Sequence, residues 1–239
     1  MTLRIASYNI HKCVGIDRRR DPSRNIEVIN ALDADIIALQ EVDRRMGARP
    51  AALPAALIEQ ETDYVTIEQP RTGPDSLGWH GQAFLVKRGS RVISCRGVEL
   101  PGLEPRGALH LRLSPDSGTP FSVISAHLGL RRADRRAQWS KIAHELNAVG
   151  AHPALAIGDF NEWSARSGFE ALTGFHMHAP GATYPSVAPV GKLDRIVTCK
   201  RASVVRMKVF DTPLSRRASD HLPIWADIDG IITRARPLR

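Results

Sequence analysis

Apolar runs that end in polar, ligand-forming side chains recur along this chain and constrain it more than any other feature. The clearest is the run Ala154 to Ile157, which leads through Gly158 to Asp159, Phe160 and Asn161 and so delivers an Asp and an Asn two residues apart. On an extended strand end, side chains two residues apart point the same way, so Asp159 and Asn161 are expected to share a face. A carboxylate beside a carboxamide suits a hard cation and a phosphoryl oxygen, because both supply oxygen ligands and the amide also donates hydrogen bonds. Four other apolar runs close in the same manner, at Asn9, at Gln40-Glu41, at His127 and around Leu193-Asp194, and Ser219-Asp220-His221 opens a further run.

Helix and strand signals alternate between these points. Leu3 to Tyr8 reads as a strand, Pro22-Ser23 caps a helix with Ile26, Ile29 and Leu32 on one face, and Asp33-Ala34-Asp35 breaks it before the strand Ile36 to Leu39. Pro50 to Glu61 is helical with an interruption at Pro54, and Arg71 to Gly81 is a loop. Strands follow at Ala83 to Val86, Arg91 to Ser94, Ala108 to Leu113 and Phe121 to Ala126, then a helix over Ala133 to Val149. After the Ala154 strand come a short helix near Ser167 to Leu172 and strands from Leu193, Val204 and Leu222. Helices mixed with antiparallel runs predict an α/β sandwich, two packed sheets with helices outside. At 239 residues and 43% hydrophobic content, one domain spanning residues 1–239 is expected.

No apolar segment approaches the roughly 18 residues of a membrane span, and the first strand is not preceded by a charged-then-apolar leader, so a cytoplasmic protein with no transmembrane segment is expected. Cys13, Cys95 and Cys199 are odd in number and widely spaced, which predicts buried thiols rather than disulfides or a zinc site. A net charge of +8 favours anionic partners without naming one.

The ordered series Tyr8-Asn9, Gln40-Glu41, His127, Gly158-Asp159-Phe160-Asn161, Leu193-Asp194 and Ser219-Asp220-His221 resembles the endonuclease/exonuclease/phosphatase superfamily, the DNase I-like proteins. Each motif is weak alone; their order across residues 5 to 228 carries the resemblance. Asn9-Ile10-His11-Lys12 and Thr183-Tyr184-Pro185-Ser186 look like its small bacterial members. The resemblance implies a four-layered α/β sandwich that hydrolyses a phosphate ester with Mg²⁺ or Mn²⁺. A phosphodiester is anionic and resists water, so a catalyst must neutralise charge, activate the water and stabilise the leaving oxygen.

Carried over residue by residue, Glu41 and Asn9 would ligate the principal metal, with Asp220 completing its shell. Asp194 would fix the tautomer of His221, whose other nitrogen would take a proton from the attacking water or bind the phosphoryl group. Asp159 would hold a second metal or handle the leaving-group proton, Asn161 would donate to a non-bridging oxygen, and His127 would bind the same phosphate or act as general acid. His11 departs from the acidic residue that several relatives place there. It contacts substrate phosphate, or favours Mn²⁺, or marks an absent second metal site, or simply packs.

Tyr184 and Arg106 are further candidates for substrate contact, whereas Trp163 is expected to be buried and His176 and His178 to lie on a surface segment. Arginine clusters at Arg18 to Arg20, at Arg131, Arg132, Arg135 and Arg136, and at Arg216-Arg217 flank the motifs, which predicts a cationic collar with Arg131 and Arg135 gripping a polyanion. The reading is a metal-dependent phosphodiesterase or nuclease acting on a phosphate ester, nucleic acid among the candidates, with no protein partner inferable. A phosphomonoesterase or lipid-headgroup or inositol-phosphate hydrolase is the alternative, and a non-catalytic phosphate-binding protein is the alternative of another class.

Overall fold

The computed structural model describes residues 2–114, 119–164 and 167–231. In chain order the elements are β1 (Leu3–Asn9), α1 (Pro22–Leu32), β2 (Ile36–Gln40), α2 (Ala55–Glu61), β3 (Tyr64–Thr66), β4 (Gln82–Lys87), β5 (Arg91–Leu100), β6 (Arg106–Ser114), β7 (Phe121–His127), α3 (Arg132–Ala148), β8 (Ala154–Asp159), β9 (His176–His178), β10 (Asp194–Thr198), β11 (Ser203–Val209), α4 (Pro213–Ala218) and β12 (Ile224–Asp229). They form two six-stranded sheets, ordered β11-β12-β1-β2-β4-β3 and β5-β6-β7-β8-β10-β9.

Each sheet holds one parallel pair near its middle, β1 with β2 and β7 with β8, and the other pairings are antiparallel. These central strands are covered on both faces, which is why their sequences read as nearly continuous apolar runs rather than alternating ones. The period of two still sorts them. Ile5, Ile36 and Ala38 of the first sheet meet Val123, Leu155 and Ile157 of the second in the core between the sheets. Ala6, Tyr8, Ile37 and Leu39 face outward into a second core with α1 and α2, and Ile124, Ala126 and Ala156 face outward beneath α3. Helices, sheet, sheet and helix make four layers, the DNase I-like α/β sandwich expected from the sequence.

The local differences are small and have clear causes. The α1 cap is Asp21, whose side chain accepts from the Arg24 amide while Pro22 occupies the first helical turn. The helix after Pro50 begins only past Pro54, because proline supplies the extended N-cap of α2. β5 runs on to Leu100 past an irregularity between Val92 and Ser94. The expected helix near Ser167 is one turn at Glu170–Leu172, and the short elements β3, β9 and α4 carried no sequence signal. Of the three free cysteines only Cys13 is buried; Cys95 and Cys199 are partly exposed, which corrects the expectation of three buried thiols.

The sheets place two rows of polar residues at the same end of the sandwich. In the first sheet Asn9 pairs with Gln40 and Gln40 with Gln82. In the second, His127 pairs with Asp159 and Asp159 with Asp194. Gly158 makes this second row possible: a Cβ there would lie 1.9 Å from the Ala126 carbonyl oxygen, so only glycine lets β8 approach β7 closely enough beside Asp159.

Candidate active site

The two rows meet at the Oδ2 atom of Asp159. Asn9 Nδ2 reaches across from the first sheet and donates to it at 3.1 Å. His127 Nε2 lies 3.4 Å away and His221 Nε2 3.6 Å away. Behind His221, Nδ1 donates to Asp194 Oδ2 at 2.9 Å, which leaves Nε2 as the nitrogen that faces Asp159. Asn9, His127, Asp159, Asp194 and His221 are all buried. Ser219 locks the floor by donating to the Asn9 carbonyl at 2.7 Å and accepting from the His221 amide at 3.3 Å.

Burial and charge separate the two imidazoles. Burial pushes His127 down to about 4, against the pull of the Asp159 carboxylate. Burial acts on His221 in the same direction, but the carboxylates of Asp194 and Asp159 outweigh it and push His221 up to about 10. The floor therefore holds one neutral and one protonated ring at neutral pH.

Asn161 reaches the site by a route the sequence reading did not foresee. β8 stops at Asp159, and Asn161 adopts a left-handed φ of 50°, a conformation asparagine tolerates. Its amide N–H returns to Asp159 Oδ1 at 3.0 Å and its Nδ2 donates to the Leu128 carbonyl at 2.9 Å. A turn, not strand alternation, brings the Asn161 backbone onto the Asp159 carboxylate, while the Asn161 side chain bonds the Leu128 carbonyl. Glu41, with φ 56°, and His11, Lys12 and Cys13, with φ 45° to 58°, are left-handed at the ends of the neighbouring strands. Such clustering of costly backbone conformations is characteristic of functional sites.

Glu41 follows β2 directly and forms a wall that lines the same cavity as His127. Its carboxylate is 13% exposed, is bound by the Lys12 ammonium and lies 3.5 Å from Arg45 Nη2. Burial alone would raise it, yet the cations facing it hold Glu41 at about 2. Asn9 Oδ1 accepts the His11 amide at 3.0 Å and keeps a second lone pair. Asp220 is partly exposed, 3.8 Å from His11 Nδ1. An ionised carboxylate that already gathers positive charge is the kind of ligand a hard divalent cation takes, and a cation there would replace the contacts of Lys12 and Arg45. His11 Nδ1 lies 3.0 Å from the Val14 carbonyl oxygen, so that nitrogen carries its proton and is no metal ligand. Asp159, Asp194 and His221 also bring one potential ligand atom each within 4.8 Å of one another, as two carboxylates around one imidazolium do without an ion.

Arg106 is 8% exposed beside Glu41 and His127, with Nη2 on Glu104 at 2.8 Å. The Tyr184 ring lies 4.9 Å from the His221 ring and 6.2 Å from that of Trp163. Trp163 is 61% exposed, which corrects its expected burial.

The collar dissolves into internal pairs. Arg135 is buried, bonded to Glu162 and donating to the carbonyls of Gly129 and Leu130, so it braces the loop after β7 and cannot reach a substrate. Arg136 pairs with Glu170, Arg216 with Asp211, and Arg217 with Asp17. Arg131 stands exposed at the N-cap of α3. The sequence reading missed Lys12, Arg44, Arg45, Arg49 and His80, although Arg44-Arg45 directly beyond Glu41 was a visible signal.

The Endonuclease/Exonuclease/phosphatase family model matches residues 6–221. The chain belongs to this family. Its members are hydrolases of phosphate esters. YbhP of Escherichia coli is 30% identical over 249 residues, covering 95% of this chain and 96% of that protein. The fold is also that of the mannosyl-6-phosphatase Bt3783 of Bacteroides thetaiotaomicron, with TM-score 0.76, 18% identity, and 95% and 99% of the two chains covered. D. rerio TDP2 complexed with a single-strand DNA product is similar at TM-score 0.74 and 17% identity, with the same coverage. Among the described residues no helix is long and apolar enough to cross a membrane.

Proposed function

We propose that this protein is a divalent-metal-dependent phosphodiesterase. The observation that carries the reading is the convergence on Asp159 Oδ2 of Asn9, His127 and His221, with Asp194 bonded behind His221. In this reading Asp194 fixes the His221 ring, so that Nε2 is presented to the phosphoryl group. Asp159, oriented by Asn9, stands where it can take a proton from the attacking water. His127 and the remaining Nδ2 hydrogen of Asn161 would donate to non-bridging oxygens as negative charge builds on them.

Glu41, Asn9 and Asp220 would hold Mg²⁺ or Mn²⁺, which when bound supplies charge neutralisation at the phosphate. A diester suits the floor better than a monoester, because the Asp159 and Asp194 carboxylates tolerate a monoanion more readily than a dianion. A polyanionic substrate, nucleic acid included, and a cytoplasmic location belong to the same reading, supported by the net charge of +8 and the three unpaired cysteines.

The test is turnover of bis(p-nitrophenyl) phosphate and of p-nitrophenyl phosphate with Mg²⁺, with Mn²⁺ and in excess chelator. The expected result is hydrolysis of the diester only with metal. Undiminished activity in chelator would overturn the metal requirement, and faster turnover of the monoester would overturn the preference for diesters.

A further inference from the structure

Glu41 and His127 lie at the edge of a cavity of about 280 Å³ that they help to line, and its walls carry five permanent cations against three carboxylates. Two of the cations, Lys12 and Arg45, lie against Glu41. The Asp43 carboxylate faces away into the loop, where it accepts the amides of Leu77 at 2.6 Å and Gly78 at 3.4 Å. Arg44 and Arg49 form no side-chain ion pair with any described residue, in contrast to the engaged arginines of α3 and α4.

Arg106 adds a further cation to the same walls. It is buried to within 8% of full coverage, one arm is held by Glu104, and its Nε is buried with no hydrogen-bond partner. An unpaired buried donor of a charged group costs free energy unless something completes it. That nitrogen is closed off from the cavity, so an acceptor reaches it only if the guanidinium shifts; the surplus of positive charge on the same walls makes an anion the ligand that fits the cavity.

We infer that this cavity is a second anion subsite, which receives a phosphate carried by the substrate next to its scissile phosphodiester. The inference rests on the phosphodiesterase reading and deepens it. Guanidinium forks match the paired oxygens of a phosphate, and three arginines around one small space favour a dianion over a carboxylate. The volume lies at the low end of small-ligand sites, so it admits a phosphate with the group that bears it and not a duplex. Specificity would thus come from a flanking phosphate read at the Glu41 wall, while the floor cleaves.

The test has two arms. In the first, kcat/KM is compared for the p-nitrophenyl ester of thymidine 5′-phosphate and for the same ester carrying a 3′-phosphate, with the wild type and the Arg44→Ala/Arg49→Ala double variant. The added phosphate should raise wild-type kcat/KM by roughly tenfold or more, the size of one charge-assisted contact, and the double variant should lose that gain. Arg106→Lys, which keeps the charge but not the fork, should lose it in part, with its melting temperature checked. A 3′-carboxymethyl analogue that gained as much would overturn the assignment to phosphate. In the second arm, binding of inorganic phosphate is measured calorimetrically in chelator, and the double variant should bind at least several-fold more weakly. If the plain ester is hydrolysed with metal but the 3′-phosphate gives no advantage, the subsite is refuted and the phosphodiesterase reading stands. If neither ester is hydrolysed, that reading falls, and equal phosphate binding by wild type and double variant would then refute the subsite as well.

Discussion

On the floor of the cleft the charged groups are paired with one another: Asp194 holds His221 through Oδ2 while its Oδ1 stays buried without a hydrogen-bond partner, and Asp159 takes Asn9 and faces both imidazoles. On the Glu41 wall cations outnumber carboxylates, and Arg44 and Arg49 have no ion-pair partner among the described residues. Both regions sit at strand ends and use the same residue types. The floor is assembled from the strand ends at Asn9, His127, Asp159 and Asp194, with His221 brought in by the loop before β12, and these groups bond one another before any ligand arrives. The wall is assembled from Lys12 after β1, the residues after β2 and the start of β6 at Arg106, whose side chains converge on a cavity. In the proposed reading the difference teaches that the floor is organised for chemistry and the wall for recognition.

The largest effects should come from breaking the floor. Asp194→Asn and His221→Ala should each lower kcat on a chromogenic diester by roughly 10³- to 10⁴-fold with little change in KM, as for a carboxylate–histidine pair that acts as a unit. The double variant should be no worse than the poorer single one. Multiplying losses would show that the two residues act separately.

Arg135→Met probes the other kind of arginine. Removing one member of its buried pair leaves Glu162 uncompensated, so urea unfolding should report a loss of about 3–5 kcal/mol while KM for the diester stays the same. A raised KM with unchanged stability would restore Arg135 to the cleft and erase the contrast drawn above.

Glu41→Gln should cut metal-dependent turnover by about 100-fold and raise the metal concentration needed for half-maximal rate, because an amide replaces the main anionic ligand. Retention of the wild-type metal titration would move the cation site off the wall.

The imidazoles should leave a pH signature in metal-free protein. His221, raised to about 10, contributes stability that is fully present below its unfolded value near 6.5 and is lost as pH rises towards 10. His127, lowered to about 4, contributes above 6.5 and loses that contribution as pH falls towards 4. Melting temperature against pH should show a shallower alkaline limb in His221→Ala and a shallower acid limb in His127→Ala; unaltered limbs would refute the separation of the two rings. The smallest effect is expected from Arg136→Ala, whose exposed pair with Glu170 should be silent in both melting temperature and KM.

The apolar runs ending at Asn9, Glu41, His127 and Asp159 were readable as strands with functional tips, because a strand covered on both faces must be apolar throughout and can turn polar only where it leaves the sheet. α1 and α3 were readable from their apolar spacing, whereas β3 and β9 were not, since a three-residue strand has too short a pattern to register. The pairing of Asp194 with His221 came from resemblance and was met by a 2.9 Å bond; the turn that swings Asn161 back onto Asp159 had no sequence signal beyond the asparagine itself.

Arginines divide most sharply. Their positions are sequence, but their partners lie far along the chain: Glu162 for Arg135, 27 residues away, and Asp17 for Arg217, 200 residues away. The sequence by itself determined the layered α/β fold, which follows from local periodicity, and named the candidate site residues, whose order along the chain carries the family resemblance. Which arginines are neutralised and which face the cleft was decided only by the tertiary structure, because a long cationic side chain takes its role from the carboxylate that folding brings within reach, and local sequence does not specify that neighbour.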